Sequence, residues 1–403
     1  MGGSAGDVDT HKLDVGPSKE GAGMAGLMVG VPKEIKEKEG RVSVQPDGVA
    51  ELVYDGREVV VQAGAGSGCG FPDDEYVAAG ARVVGTADEV FAATDLIVKV
   101  KEPIPEEYDR FRPGQQLFTY LHLAADRRLT EFLLDRRIDS IAYETVQTAD
   151  GRLPLLTPMS EVAGRMAVQA AAHHLESPAG GAGLLLGGIP GTPAAKVTII
   201  GGGVAGTEAA KMALGLRAIV RVLDTNAARL SYLSDVFGGR LDLVVPNRAR
   251  TAAYVAESDV VIGAVLVAGA KAPKLVTRDM IKSMRPGSVV VDIAIDQGGC
   301  FETSRPTTHS EPTYVEEGVV HYCVANIPGA VARTSTLGLT SATLRYVVRV
   351  AAHGVAGAAA RDPVLAKGLS TLGGKLVSRP VAEAHGLPYQ DPATLLPAGQ
   401  ATT

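Results

Sequence analysis

The chain has 403 residues, 46% of them hydrophobic, and a formal net charge of −6. That length suits about two or three domains with a sizeable core. The acidic balance, with a pI of about 5.8, argues against a general nucleic-acid-binding role.

No stretch reaches the roughly 20 uninterrupted apolar residues of a membrane span. The apolar runs VVIGAVLVAGA and LLLGGIPG are short or broken by Gly and Pro. Cys69, Cys300 and Cys323 stand far apart with no CxxC pair, which disfavours a zinc site or a disulfide framework and suits a reducing cytoplasm. Residues 1–27 are polar and Gly-rich and lack the apolar core of a signal peptide. Asp7, Asp9, Asp14 and Glu20 also fit a transit peptide poorly. They read as a disordered extension, with Met24 or Met28 as alternative starts.

From Met28 onward, strand and helix patterns alternate. LMVGVPKE reads as a strand, and SVQPDGVAELVYDG as a helix with Asp47 near its start and Gly56 after its end. EVVVQAGA is a strand, PDDEYVAAG a short helix, RVVG a strand and TADEVFAAT a helix. DLIVKVKEP is a strand interrupted by Lys99 and Lys101, whose spacing puts both on one face with Ile97. QLFTYLHLA, a helix over DRRLTEFLLDRR and a strand at SIAYETV follow. A long helix, PMSEVAGRMAVQAAAHHLES, and a Gly/Pro-rich loop interrupt the alternation, which restarts at KVTIIGGG and continues to VVHYCVANIPG. The chain closes on another long helix, STLGLTSATLRYVVRVAAHGV. This is the pattern of an α/β protein with parallel sheets. It divides into a substrate domain, residues 28–154 with 331–398, and a Rossmann-type nucleotide domain, residues 155–330. The terminal helices, with no sheet of their own, fold back on the discontinuous first domain and join the two.

VTIIGGGVAGTEAA contains Gly201-x-Gly203-x-x-Gly206 between an apolar strand and a helix pattern. The next strand, AIVRVLD, ends in Asp224. Together these form the dinucleotide-binding fingerprint rather than a lone glycine turn. Gly201 permits the tight turn, Gly203 lets a pyrophosphate approach the helix N-terminus, and Gly206 allows close helix–strand packing. Asp224 would accept hydrogen bonds from the adenosine ribose and repel a 2′-phosphate, which favours NAD over NADP.

Four further polar residues stand at or beyond strand ends, where doubly wound sheets bind ligands: Arg41, Lys101, His122 and Asp296. Each also has a plain structural reading. Arg41 suits a charged surface loop, the lysine pair an edge strand, His122 a core histidine and Asp296 a turn. Nothing shows metal-ligand spacing, a Walker A loop or a GxSxG elbow.

GVPKEIKEKEGRVSVQPDGV, VKVKEP, FTYLHLAA, AYETVQ, LPLLTPMSEVAGRMA, LLLGGIPG, VDIAIDQGGCFETSRPTTH and HYCVANIPGAVARTST resemble the alanine dehydrogenase family. That superfamily also holds the soluble part of nicotinamide nucleotide transhydrogenase and the lysine-forming saccharopine dehydrogenases. The resemblance runs from about residue 28 to 390. It implies NAD-dependent, reversible oxidative deamination of L-alanine to pyruvate and ammonia by a cytoplasmic homohexamer, with no nucleic-acid or membrane partner. It implies His122 as the acid–base group, Asp296 as a second one that orients water, and Arg41 and Lys101 as substrate ligands. For the cofactor it points to Ser160, Val204, Asp224, Arg229, Val265 and Leu266. It also points to Ile293, Ala294 and Ile295, to Arg305, and to Val324, Ala325, Asn326 and Ile327. The chain departs from the family pattern at Gln45, Arg217, Pro246, Ala268, Ile327 and Ala332. These departures keep two alternatives open: a dehydrogenase of another small amino acid, and a non-catalytic NAD-binding homologue.

Overall fold

A computed structural model describes residues 26–265 and 272–397. Residues 1–25 of the expected extension, together with Leu266 and Ala268, lie outside the described residues.

Two sheets organise the chain. The first takes β1 (Val29–Val31), β2 (Val59–Gln62), β3 (Arg82–Val84), β4 (Leu96–Val98), β5 (Gln116–Thr119) and β6 (Asp139–Ala142), all parallel. Valine-rich runs such as Val59, Val60 and Val61 are buried, as expected of parallel strands covered on both faces. Helices between them start on local signals. Thr86 caps the helix Ala87–Ala93 by accepting from the Glu89 backbone N–H, while the Glu89 side chain accepts from the Thr86 N–H.

The second sheet takes β7 (Lys196–Ile200), β8 (Ile219–Leu223), β9 (Asp242–Val244), β10 (Val260–Gly263), β11 (Val289–Asp292), β12 (Thr313–Glu316) and β13 (Val319–Tyr322). Its order is β12-β13-β11-β10-β7-β8-β9, with only β12 antiparallel. The chain winds outward on both sides of β7, so the switch point of the sheet lies between β7 and β10.

Two long helices tie the sheets together. Helix Thr157–His174 packs closely on helix Val204–Gly215, and a Cβ at Gly164 would come within 2.1 Å of the Ala205 carbonyl oxygen. Helix Ala332–Arg361 buries Tyr346, Val347, Val350 and Val355 in one core with Val29, Val59 and Val98 of the first sheet. It bends at Gly354, whose φ is 70°, and the Gln116 side chain accepts from the Val355 N–H there.

Two differences from the sequence reading matter. The C-terminal region contributes strands as well as helices: β14 (Leu369–Leu372) pairs antiparallel with β6, and β15 (Lys375–Leu376) with β14. The first sheet therefore has eight strands in the order β15-β14-β6-β5-β4-β1-β2-β3. In addition, β4 ends at Val98, so Lys99 and Lys101 lie beyond the strand and its two-residue alternation does not govern them.

Candidate active site

The glycine loop follows β7 at the switch point. Gly201 has φ 101°, and a Cβ there would come within 2.6 Å of the Ala264 carbonyl oxygen. A Cβ on Gly206 would come within 1.8 Å of the Gly201 carbonyl oxygen, so only glycine lets the helix sit this close. Gly203 caps helix Val204–Gly215 and has no atom within 4 Å of where a Cβ would stand. That open cradle at a helix N-terminus fits a pyrophosphate.

Asp224, at the end of β8, accepts from the Gly202 N–H at 2.7 Å and the Asn226 N–H at 2.8 Å. These fix the carboxylate beside the loop and leave further lone pairs for a ribose. The Arg229 guanidinium donates to the Gly202 carbonyl oxygen at 2.5 Å and to the Thr207 hydroxyl at 2.6 Å. Val265 lies beside Gly201 and is half-buried there. Val204 is exposed on the first turn of the helix. The Val324 and Ile327 side chains belong to the core of the second sheet. Arg305 stacks on Tyr314, its guanidinium carbon 3.8 Å from the ring centroid.

A buried charge cluster stands at the border of the two sheets. Arg41 is 3% exposed, and its guanidinium clasps Glu39, with Nε to Oε1 at 2.7 Å and Nη2 to Oε2 at 2.5 Å. Nη1 approaches the Met159 sulfur at 3.1 Å, next to Ser160. Asn326, from the chain after β13, completes the cluster. Its Oδ1 accepts from Arg41 Nη2, and its Nδ2 donates to Glu39 Oε2 at 2.8 Å. Asn326 holds a left-handed backbone, φ 76°, and its carbonyl oxygen meets His309 Nε2 at 2.9 Å. Burial alone would raise the Glu39 carboxyl; the Arg41 guanidinium outweighs it and holds that group down to about 2.

A second cluster forms around Lys101. Its ammonium lies 3.7 Å from Glu102 Oε2, and Lys36 pairs with the other oxygen of the same carboxylate. Burial would raise the Glu102 carboxyl too, but Lys101, Lys36 and His122 together bring it down to about 2. His122 has φ 51°, and its backbone N–H donates to Glu144 Oε1 at 2.7 Å. Its imidazole stacks on the Tyr120 ring with centroids 6.0 Å apart and 5° between planes. The Tyr120 hydroxyl donates to the Leu155 carbonyl oxygen at 2.5 Å, and burial pushes its phenol up.

Asp296 is exposed on the tight turn Ile293–Gln297 after β11, with Ala294 and Ile295 buried beneath it. Among the described residues no hydrogen bond or ion pair joins it to Arg41, Lys101 or His122. The turn is organised by Asp292, which is fully buried. Its carboxylate accepts from the N–H groups of Ala294, Cys300 and Phe301 at 3.1, 2.9 and 3.5 Å and from the Ser304 hydroxyl at 2.5 Å. Burial pushes its carboxyl up.

The structure thus groups Arg41 with Asn326, and Lys101 with Glu102 and Lys36. It adds Glu39, Glu102, Glu144 and Asp292, which the sequence reading did not single out. Glu39 and Glu102 were readable in one respect: each is an acid within two residues of a proposed substrate cation.

Two family models match the chain: alanine dehydrogenase/PNT, N-terminal domain, over residues 30–163, and alanine dehydrogenase/PNT, C-terminal domain, over residues 167–379. The chain is 57% identical over 370 residues to an alanine dehydrogenase of Halomonas elongata, covering 92% of this chain and all of that one. It is 54% identical over 364 residues to an alanine dehydrogenase of Methanococcus maripaludis, covering 90% of this chain and 98% of the relative. A solved L-alanine dehydrogenase structure superposes with a TM-score of 0.85 at 52% identity, over 89% of this chain and 99% of that one.

Proposed function

The chain belongs to the alanine dehydrogenase/PNT family, and from that premise we propose that it catalyses the reversible, NAD-dependent oxidative deamination of L-alanine. The products are pyruvate and ammonia. The observation that carries this reading is the Asn326 side chain on Arg41 and Glu39. It brings the arginine suited to an amino-acid carboxylate to the edge of the sheet whose glycine loop suits a dinucleotide.

In this reading residues 28–154 and 331–398 form the substrate domain and residues 155–330 the nucleotide domain. Gly201, Gly203, Gly206 and Asp224 hold the dinucleotide, with Arg229 bracing the loop. When bound, the oxidised nicotinamide supplies the acceptor for the hydride from the alanine Cα. Arg41 already gives Nε and Nη2 to Glu39 and Asn326, so Nη1, which among the described residues meets a weakly accepting thioether, is the donor to take the substrate carboxylate. Lys101 supplies a second positive charge to the carboxylate or to the carbonyl oxygen of pyruvate. His122 takes a proton from the substrate ammonium and passes it to solvent, then takes a second from the attacking water and returns it to nitrogen as the carbinolamine collapses. Asp296 orients the water that attacks the iminium carbon. Water contributes the pyruvate oxygen, and the nitrogen leaves as ammonium.

The assembly is a cytoplasmic homohexamer. The family resemblance supports that state, and the three free, buried cysteines suit a reducing compartment. The test is NADH absorbance from purified protein with L-alanine and NAD at mildly alkaline pH, beside His122→Ala and Lys101→Ala. Turnover lost in both variants is the expected result. Turnover of a larger amino acid but not alanine would move the substrate assignment. NADH binding with no turnover of any amino acid would overturn the enzyme reading.

A further inference from the structure

The end of β4 poses a backbone problem. β1 pairs with β4 at Leu96 and Ile97 and ends at Val31, where Pro32 follows. Beyond that point no strand is left on the β1 side to accept the N–H groups of Val100 and Lys101. On the β5 side pairing persists: Lys99 N–H donates to the Phe118 carbonyl, Tyr120 N–H to the Val100 carbonyl and the Thr119 hydroxyl to the Lys101 carbonyl at 3.0 Å. Buried N–H groups require acceptors.

Glu34 supplies one. Its Oε1 accepts from Val100 N–H at 2.6 Å and Lys101 N–H at 3.3 Å. Its Oε2 accepts from the Lys99 ammonium at 3.1 Å, and the same ammonium donates to Glu107 Oε1 at 2.8 Å. Glu107 then fixes the following loop, accepting from Ile104 N–H at 3.1 Å. The Lys99, Glu34 and Glu107 side chains are all 3% exposed or less. A buried ion triad is poor value for stability alone, so its retention asks for a positional reason.

We propose that Glu34 is a positioning residue for Lys101: its carboxylate, anchored by Lys99 and Glu107, stands in for the missing strand and sets the backbone from which the Lys101 ammonium reaches the substrate. The inference rests on the reading of Lys101 as a substrate ligand. It separates the lysine pair into two tasks, Lys99 anchoring the clamp and Lys101 carrying charge to the substrate.

The test is a double-mutant cycle read by pyruvate binding in the presence of NADH and without ammonia, where no turnover occurs and inactive variants remain measurable. Titration calorimetry compares wild type, Glu34→Gln, Lys101→Ala and the double variant. Glu34→Gln is expected to weaken pyruvate binding about tenfold, and to add less than about twofold once Lys101 is Ala. The same loss in both backgrounds, or no loss in either, would overturn the positioning role. Lys101→Ala binding pyruvate like wild type would instead overturn the Lys101 reading, and the clamp's role with it. Should Glu34→Gln fail to fold, Glu34→Asp keeps the charge but withdraws the carboxylate by one methylene. The same two outcomes then decide.

Discussion

The loop after β4 and the turn after β11 solve one problem in two ways. Each carries a residue proposed for chemistry, Lys101 or Asp296, and each is organised by a buried carboxylate that collects backbone N–H groups. Asp292 is local: its donors lie 2 to 12 residues on and come from four residues that surround it. Glu34 is remote, 66 residues before Val100, and finds only two N–H groups, so an ammonium makes up its shell. The difference teaches that neutral donors can satisfy a buried carboxyl's lone pairs without a counter-ion, although at Asp292 burial still outweighs them and raises the group. Where the chain cannot bring enough donors, a cation must be buried too.

The largest effect should come from removing that cation. Lys99→Met leaves Glu34 and Glu107 buried without their shared partner and should cost about 3–5 kcal/mol in denaturant unfolding. A loss below about 1 kcal/mol would erase the contrast between the two loops.

Asp292→Asn keeps one acceptor but turns an N–H₂ towards the donors on Oδ2, which should cost about 1–3 kcal/mol. It should also flatten a pH slope. Burial raises the Asp292 carboxyl in the folded chain. Between the unfolded value and the folded one, the folded state therefore holds a proton that the unfolded chain has released. The stability this contributes is full below the unfolded value of about 4 and is lost as pH rises through the folded one. Wild type minus variant, measured by unfolding between neutral and acid pH, isolates that term, since the lowered carboxyls of Glu39 and Glu102 are common to both.

Gly299→Ala sharpens the same comparison from the backbone side. Its φ is 73°, and a Cβ would stand 2.6 Å from Asp292 Oδ2. A loss of about 1–2 kcal/mol is expected by thermal unfolding, with no equivalent cost at any glycine of the Lys101 loop, which has none between Lys99 and Ile104. Arg217→Gly is the control outside both loops. Arg217 holds φ 65°, a left-handed backbone that glycine adopts without strain, so the change should raise stability by less than about 1 kcal/mol and leave kcat unchanged.

The glycine loop was legible because its requirements are local: a strand, a turn that crowds any Cβ, a helix start and an acid one strand later. The two lysines were separated only by the family resemblance, which assigned Lys101 alone to the substrate. Alternation made them equivalent, whereas the partners that divide them, Glu34 and Glu107, arrive from residues 65 before and 8 after Lys99. Asn326 was named for the cofactor; its side chain lies on Arg41 and Glu39, a contact across 285 residues that no periodicity encodes. The β14–β15 hairpin did carry a signal, the Gly373-Gly374 pair between LSTL and KL, but strands this short and polar give weak alternation.

That hairpin has a consequence for how the protein is made. β14 joins β6 across more than two hundred residues, and the whole second sheet is encoded between them. A ribosome working from the N-terminus therefore releases every strand of the nucleotide-type sheet before the edge of the first sheet can be covered. Until about residue 372 emerges, β6 is an open edge on a nascent chain, a template for wrong pairing. Birth order and spatial order are inverted: the half that begins first is finished last.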